Sequence, residues 1–257
     1  MIKASVLIAN FNGEKYIEQC IQSLESQTFK EFEIIFFDDC SSDNSVKIVE
    51  KFKNVKIIRN KSHSSTGSFN QINAYKKAFE NSSGEVIFTL DSDDFFYPNK
   101  IERVLKYYES DVKMAFDLPT IVEENKQRDL KNKSKNYRIS FFPFITQQSC
   151  MSVKREIFLD LIEKVNIKKF ENVWFDFRAG IYSKYKFGKM FIIDDHLTYY
   201  RITKTNVSYK YRYLTKLWWK RRLDYHNYAK LYCDKNDYKY YSNIDYILTQ
   251  MFNYFNK

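Results

Sequence analysis

Cysteine, proline and glycine are all scarce in this 257-residue chain, at four, three and five copies, and histidine occurs only three times. Cys20, Cys40, Cys150 and Cys233 lie far apart, form no C-x-x-C pair and have no histidine pattern nearby. That spacing indicates neither a zinc site nor a disulfide framework, so reduced thiols are expected. Long apolar runs are missing as well. No stretch approaches the roughly 18 to 20 uncharged apolar residues needed to span a bilayer. Met1-Ile2-Lys3-Ala4-Ser5 runs straight into a strand pattern and leaves no room for a secretory leader. The expected location is cytoplasmic.

What is present is a globular composition, with 44% hydrophobic and 29% charged residues. A formal net charge of +10 calls for an anionic partner, whether nucleic acid, an anionic membrane surface or phosphorylated substrates. The 21 tyrosines and 23 phenylalanines sit in a background rich in Lys, Asn and Ile, so no single aromatic carries an argument.

The apolar pattern predicts four β-α units. Ser5 to Ala9 is a short continuous apolar run, as in a strand covered on both faces, and Phe32 to Phe37, Val55 to Ile58 and Val86 to Leu90 read as three further strands. Between them, Glu14 to Gln27, the stretch with Val46, Val49 and Phe52, and the stripe Phe69, Ile72, Tyr75, Phe79 have helical spacing. Ser42 or Asp43 is placed to cap the second of these helices. Pro98 opens a fourth, with Ile101, Val104, Leu105 and Tyr108 on one side. This order predicts an α/β fold on a doubly wound, mostly parallel sheet, in which ligands bind beyond the carboxyl ends of the strands. The polar signals fall at those ends: Asn10 with Asn12, Asp38-Asp39, and Asp91-Ser92-Asp93-Asp94.

Beyond Asp117 the pattern weakens. Residues 123–136 are charged and nearly free of apolar side chains, as in a mobile loop, and order is expected to return near Ile139. A helix follows with Phe158, Leu161, Ile162 and Val165, then another from Trp174-Phe175-Asp176-Phe177. Two strands are expected at 190–193 and 197–201. Past Tyr209 come two helices, one with Leu214, Leu217, Trp218, Tyr225, Tyr228 and Tyr232 on one side, the last with Ile244, Ile247, Leu248, Met251 and Phe255.

Adjacent carboxylates at a strand end repel one another unless a cation, donors or open water offsets the repulsion. A diphosphate beside Asp91, Asp93 and Asp94 would be repelled too, whereas a hard divalent ion takes oxygen ligands from carboxylate and phosphate together. Acids at these positions also serve as helix caps.

Taken in order, Ser5 to Asn12, Ser26-Gln27-Thr28-Phe29, Asp38 to Asp43, Gly67 with Asn73, and Asp91-Ser92-Asp93-Asp94 resemble an inverting family-2 glycosyltransferase of the GT-A fold. The resemblance covers residues 1–115 well. It implies a GT-A-like domain whose nucleotide-sugar half is 1–115 and whose acceptor and catalytic-base half is 116–208, followed by a helical extension over 209–257. It implies a nucleoside-diphosphate sugar donor, a UDP-sugar foremost, and a glycan or lipid-linked saccharide acceptor. Nucleotide contacts are implied for Ala9, Asn10, Asp38, Asp39, Asn73 and Asp91. Asp91 and Asp93 match a D-x-D signature for Mn2+ or Mg2+, with Asp93 the better candidate for direct contact. Asp176 resembles the catalytic base and Arg201 a frequent companion. Cys40, Ile72 and Thr203 depart from the pattern, where relatives often carry Gly or Asn, Arg, and His. His196 is read as an ordinary strand-edge residue.

Residues 209–232 combine Lys210, Arg212, Lys216, Lys220, Arg221 and Arg222 with Trp218 and Trp219. Such a helix either lies on an anionic membrane, here the inner face, or packs on the domain with a solvated basic side. No nucleic-acid module appears, so no nucleic-acid partner is expected. A receiver-type signalling domain and a nucleotide-sugar-binding protein without catalysis are the competing readings. The first strand ending in Asn10 rather than an acid pair argues against the receiver.

Overall fold

The computed structural model describes residues 2–124, 126–133, 142–203, 210–241 and 244–255. Its first half follows the apolar pattern. Strands β1 (Ala4–Asn10), β2 (Phe32–Asp38), β3 (Val55–Arg59) and β4 (Val86–Asp91) alternate with α1 (Ile17–Glu25), α2 (Ser45–Val49) and α3 (Gly67–Glu80). All pair in parallel, in the order β3-β2-β1-β4. Side chains alternate across the pleat, so Leu7 of β1 enters one apolar cluster while Val6 and Ile8 enter the other. One cluster holds α3; the opposite one holds α1 and α4 (Lys100–Tyr108). The sheet is therefore sandwiched between helices.

The second half is mixed rather than parallel. It contains β5 (Phe95–Phe96), β6 (Met114–Glu123), β7 (Lys126–Asp129), β8 (Met151–Lys154) and β9 (Ile192–Ile202). β8 runs antiparallel between β4 and β6, β9 lies parallel to β6, and β5 closes the path antiparallel to β9. The long β6 was hidden because its apolar run is broken by Asp117 and Pro119, and Pro119 stands at a register shift, where a missing N–H is tolerated. Within the expected loop at 123–136, Lys126–Asp129 is a strand pairing β6. All four of its residues are exposed, so no apolar alternation marks it. The expected break between 193 and 197 is absent, since β9 is one strand with an irregular register opposite 116–119. Ile139 lies outside the described residues.

Helices α5 (Arg155–Val165) and α6 (Phe175–Phe187) bury the expected stripe Phe158, Leu161, Ile162 and Val165 and the start of the Trp174 segment. In α7 (Lys216–Lys235), Tyr228 and Tyr232 are buried but Leu217 is exposed, as is Leu214 before it. The expected single stripe is thus split. In α8 (Ile244–Phe255), Asp245 and Thr249 are the buried residues.

Candidate active site

The parallel register brings the strand ends into one rim. Asn10 stands opposite Asp38, and Ala9 opposite Asp91. A cavity of about 680 Å3 opens there, lined by Ala9, Asn10, Asp39, Asp91, Asp93 and Asp176 among others. Gly13 is required beside it, because a Cβ at that position would lie 2.3 Å from Asn10 Oδ1 and 2.7 Å from Ser92 Oγ. Asn10 donates through Nδ2 to Asp38 Oδ1 at 2.9 Å and to Ser41 Oγ at 3.0 Å. Its Oδ1 is buried with no partner, an acceptor left in the cavity wall.

At one end, Asp39 accepts from Asn60 Nδ2 at 2.6 Å and meets His63 Nδ1 at 2.7 Å. The His63 ring stacks on Phe11, with centroids 4.3 Å apart. In the middle, the Tyr75 hydroxyl donates to Asp91 Oδ1 at 2.7 Å, and Gln71 Nε2 donates to the same oxygen at 3.2 Å. The Gln71 Oε1 accepts from the Phe175 N–H at 3.4 Å, so one amide ties the end of β4 to the start of α6. Burial and then the charge of Asp93 push the Asp91 carboxyl up to about 7, against the hydrogen bonds from Tyr75 and Gln71. Asp93 is also raised by burial, with Arg201 opposing. At the other end, burial raises Asp176 while the Arg221 guanidinium of α7 pulls it back.

Supports for these acids come from behind. Ser149 Oγ accepts from the Asp91 N–H at 3.0 Å and donates to Asp94 Oδ2 at 2.6 Å. The Ser149 carbonyl in turn accepts from Lys100 Nζ at 2.8 Å, and Lys100 forms a buried ion pair with Asp117 at 2.7 Å. Arg178 is fully buried and donates to the carbonyls of Val165, Ile167, Lys169, Phe170 and Val173. That gathers the loop before Trp174 and fixes the entry to α6.

The profile of Glycosyl transferase family 2 matches residues 5–176. The chain belongs to that family. An uncharacterized glycosyltransferase of Nostoc sp. is 27% identical over 222 residues, covering 80% of this chain and 66% of that protein. A poly(ribitol-phosphate) beta-N-acetylglucosaminyltransferase of Staphylococcus aureus is 38% identical over 97 residues, 37% of this chain and 17% of that one. The chain thus spans less than two thirds of these relatives. The crystal structure of residues 1–349 of the staphylococcal protein with UDP-GlcNAc superposes with a TM-score of 0.66 at 18% identity, covering 98% of this chain and 70% of that one. A Pyrobaculum calidifontis mannosyltransferase with GDP-Man and Mn2+ gives 0.60 at 13%, over 98% of this chain and 69% of that one. The fold is the GT-A type, with added C-terminal helices.

Against the family-2 pattern, the cavity brings together Ala9, Asn10, Asp39, Asp91, Asp93 and Asp176, with Thr203 also in the wall. Asp38, Asn73 and Arg201 do not line it. Asp38 is buried beneath the rim and accepts from Asn10. On α3 the lining residues Gly67, Asn70, Gln71 and Ala74 follow the i, i+3, i+4, i+7 face, and Asn73 falls off it. Arg201 lies behind the acids. Its Nε donates to the Asp93 carbonyl at 2.8 Å, its Nη2 to Gln19 at 2.6 Å, and its backbone N–H to Asp94 at 2.8 Å. Asp94 caps no helix and instead joins β9 to Ser149. His196 meets the Leu130 carbonyl at 3.1 Å, away from the cavity.

Sequence reasoning missed His63, Gln71 and Arg221. His63 follows the end of β3, where the rim rule points, and Gln71 shares the α3 face opened by Gly67. Nothing in the sequence signals Arg221, which reaches the cavity only through tertiary packing.

Among the described residues, no three His, Cys, Asp or Glu groups form a closed metal cage. Asp91 and Asp93 nonetheless supply hard oxygen donors, and a divalent cation would offset the burial and the repulsion that lift Asp91. Such an open set fits a hard ion whose remaining ligands are phosphate oxygens and water.

Proposed function

We propose that this chain transfers a sugar from a nucleoside-diphosphate sugar to a hydroxyl of a glycan or lipid-linked acceptor, with inversion. The observation that carries the reading is the meeting of Asp39, the Asp91-Asp93 pair and Asp176 in one cavity. A UDP-sugar is the first choice of donor, supported by the UDP-GlcNAc held by the staphylococcal structure. It is also supported by an Escherichia coli relative named as a UDP-Glc:alpha-D-GlcNAc-diphosphoundecaprenol glucosyltransferase, 34% identical over 107 residues, 42% of this chain and 41% of that one.

In this reading Asp39 and the Phe11-His63 platform receive the nucleoside, and Asn10, held by Asp38 and Ser41, shapes the wall beside them. Asp93, with Asp91, would hold Mn2+ or Mg2+, which when bound supplies positive charge to the departing diphosphate. Asp176 takes the proton from the acceptor hydroxyl, whose oxygen attacks the anomeric carbon as the bond to diphosphate breaks. A single displacement from the opposite face inverts the centre. Residues 1–115 serve the donor and 116–208 the acceptor, the latter contributing Gln147 and Gln148 to the cavity wall.

Thermal shift with UDP-sugars, with and without Mn2+, tests binding, and sugar release or transfer tests chemistry. Asp93→Ala is expected to lose the metal-dependent shift. Asp176→Asn is expected to keep it and lose at least about 100-fold in transfer. Full transfer by the second variant sinks the assignment of the base. A donor-dependent shift with neither hydrolysis nor transfer identifies a binding protein instead.

A further inference from the structure

The last helix is built inside out. On α8 three polar side chains face the protein, while Gln250 stays exposed: Asp245 and Thr249 are buried, and Asn253 Nδ2 donates to the Trp219 carbonyl at 2.8 Å. Facing outward are Ile244, Ile247, Leu248, Met251 and Phe255, which remain 62, 51, 42, 50 and 77% exposed. An amphipathic helix packed on a domain in water presents the opposite face. The orientation is fixed by Arg222, which makes a bidentate pair with Asp245 at 2.6 Å, and by Trp219, stacked on Phe252 with centroids 4.3 Å apart. Rotating the helix to hide its apolar side would break these contacts and turn Asp245 away from Arg222.

The same contacts run α8 antiparallel to α7, so its carboxyl end lies beside the first turn of α7. Near that end Tyr213 and Leu217 are 75 and 51% exposed. Lys210, Arg212, Lys216 and Lys220 are exposed on the same end of α7. α8 contains no Lys or Arg, and its single acid is turned inward onto Arg222. The surface therefore has an apolar middle and a basic margin.

We propose that this surface docks on an anionic lipid bilayer, with α8 lying in the plane of the headgroups. The 12 residues of α8 extend about 18 Å, well short of a hydrocarbon core of about 30 Å. No helix among the described residues is long and apolar enough to cross a membrane. Apolar side chains entering the interface beside basic residues at its edge is the chemistry of a helix lying on anionic lipid. A second copy of the chain is the less suitable occupant, because a two-fold interface sets the same patch against itself and would juxtapose both basic margins. The contact expected over 209–232 thus shifts. The second half of α7 turns His226, Tyr228, Ala229, Tyr232 and Cys233 into the protein, and the lipid-facing element is α8, with Lys216 and Lys220 of α7 exposed at its edge. Arg221 lines the active-site cavity and its neighbour Arg222 holds α8, so one helix joins docking surface and site.

Co-sedimentation of the full chain with phosphatidylcholine vesicles, with and without phosphatidylglycerol, tests the proposal independently of transfer. Binding is expected to the anionic vesicles, falling steeply at high salt. It should weaken by about tenfold or more in Ile247→Glu/Met251→Glu and in Lys216→Glu/Lys220→Glu. The circular-dichroism melt, with any UDP thermal shift the parent chain gives, serves as the folding control, since none of these four residues touches the cavity. Absence of binding to anionic vesicles overturns the proposal, as does equal binding to neutral ones. So does a dimer in light scattering that Ile247→Glu/Met251→Glu dissociates.

Discussion

Asp91 shows how one buried carboxyl couples the site to stability. It ionises at its ordinary 3.8 in the unfolded chain but only at about 7 in the fold. Between those values the native state keeps a proton that the unfolded state has lost. Its contribution to stability therefore declines as pH rises from about 4 to 7 and is constant above that. Asp93, Asp94 and Asp176 shift in the same direction. Asp91→Asn removes the repulsion while keeping the shape. It is expected to melt about 2–4 °C above the parent at pH 8 in metal-free buffer, and to lose cation-dependent donor binding. A lower melting point at pH 8 would place the strain elsewhere. Cys40 is a second local cost. Its φ of 63° is left-handed, which explains why Gly or Asn suits that position and marks the departure as one of backbone energy, about 1–2 kcal/mol, leaving the acids intact.

Among the elements, the loop from Val165 to Val173 has little regular structure, yet it sets where α6 begins. Arg178 replaces the missing backbone ladder with donors to five carbonyls, 2.8 to 3.3 Å away. Arg178→Met strands several buried acceptors and is expected to cost at least about 2 kcal/mol in chemical denaturation. Transfer should fall further than the loss of folded protein accounts for, because Asp176 loses its seat; unchanged specific activity of the folded fraction would contradict that link. The sequence marked the start of α6, since its aromatic residues stand out, whereas Asp176 was singled out by resemblance alone, and nothing pointed to Arg178 as an organiser. Strands β1 and β4 were legible as apolar runs ending in a polar signal, and β2 and β3 as apolar stretches interrupted by a single charge, Glu33 and Lys56. Strand β6 was not, because Asp117 answers to Lys100 rather than to local pattern. Nor was β7, whose exposed side chains carry no alternation. For α8 the period was legible and the direction was not, since periodicity locates an apolar stripe without saying what it faces and no direction was expected for it.

Across the whole molecule, the site depends on a sheet that changes character halfway. The parallel half aligns the ends of β1, β2 and β4, and the mixed half returns β9 so that Arg201 and Thr203 arrive at the same acids. Motif residues at strand ends could be read from order alone. Side chains delivered from α3, β9 and α7 depended on packing across more than a hundred residues of chain, as the Gln71 to Phe175 bond illustrates.

Trp174 occupies the wall of that cavity, and a Cβ added to Gly67 would sit 3.1 Å from its indole. Of the three tryptophans, the other two are neighbours on α7, where Trp219 stacks on Phe252. The molecule accordingly carries two separate fluorophores, one in the wall of the candidate cavity and one beside the proposed lipid surface. Nucleotide is expected to change the emission of the first, and vesicles that of the Trp218-Trp219 pair. Measured on variants that each retain one group, the two signals would report whether the chamber fills before or after the protein lands.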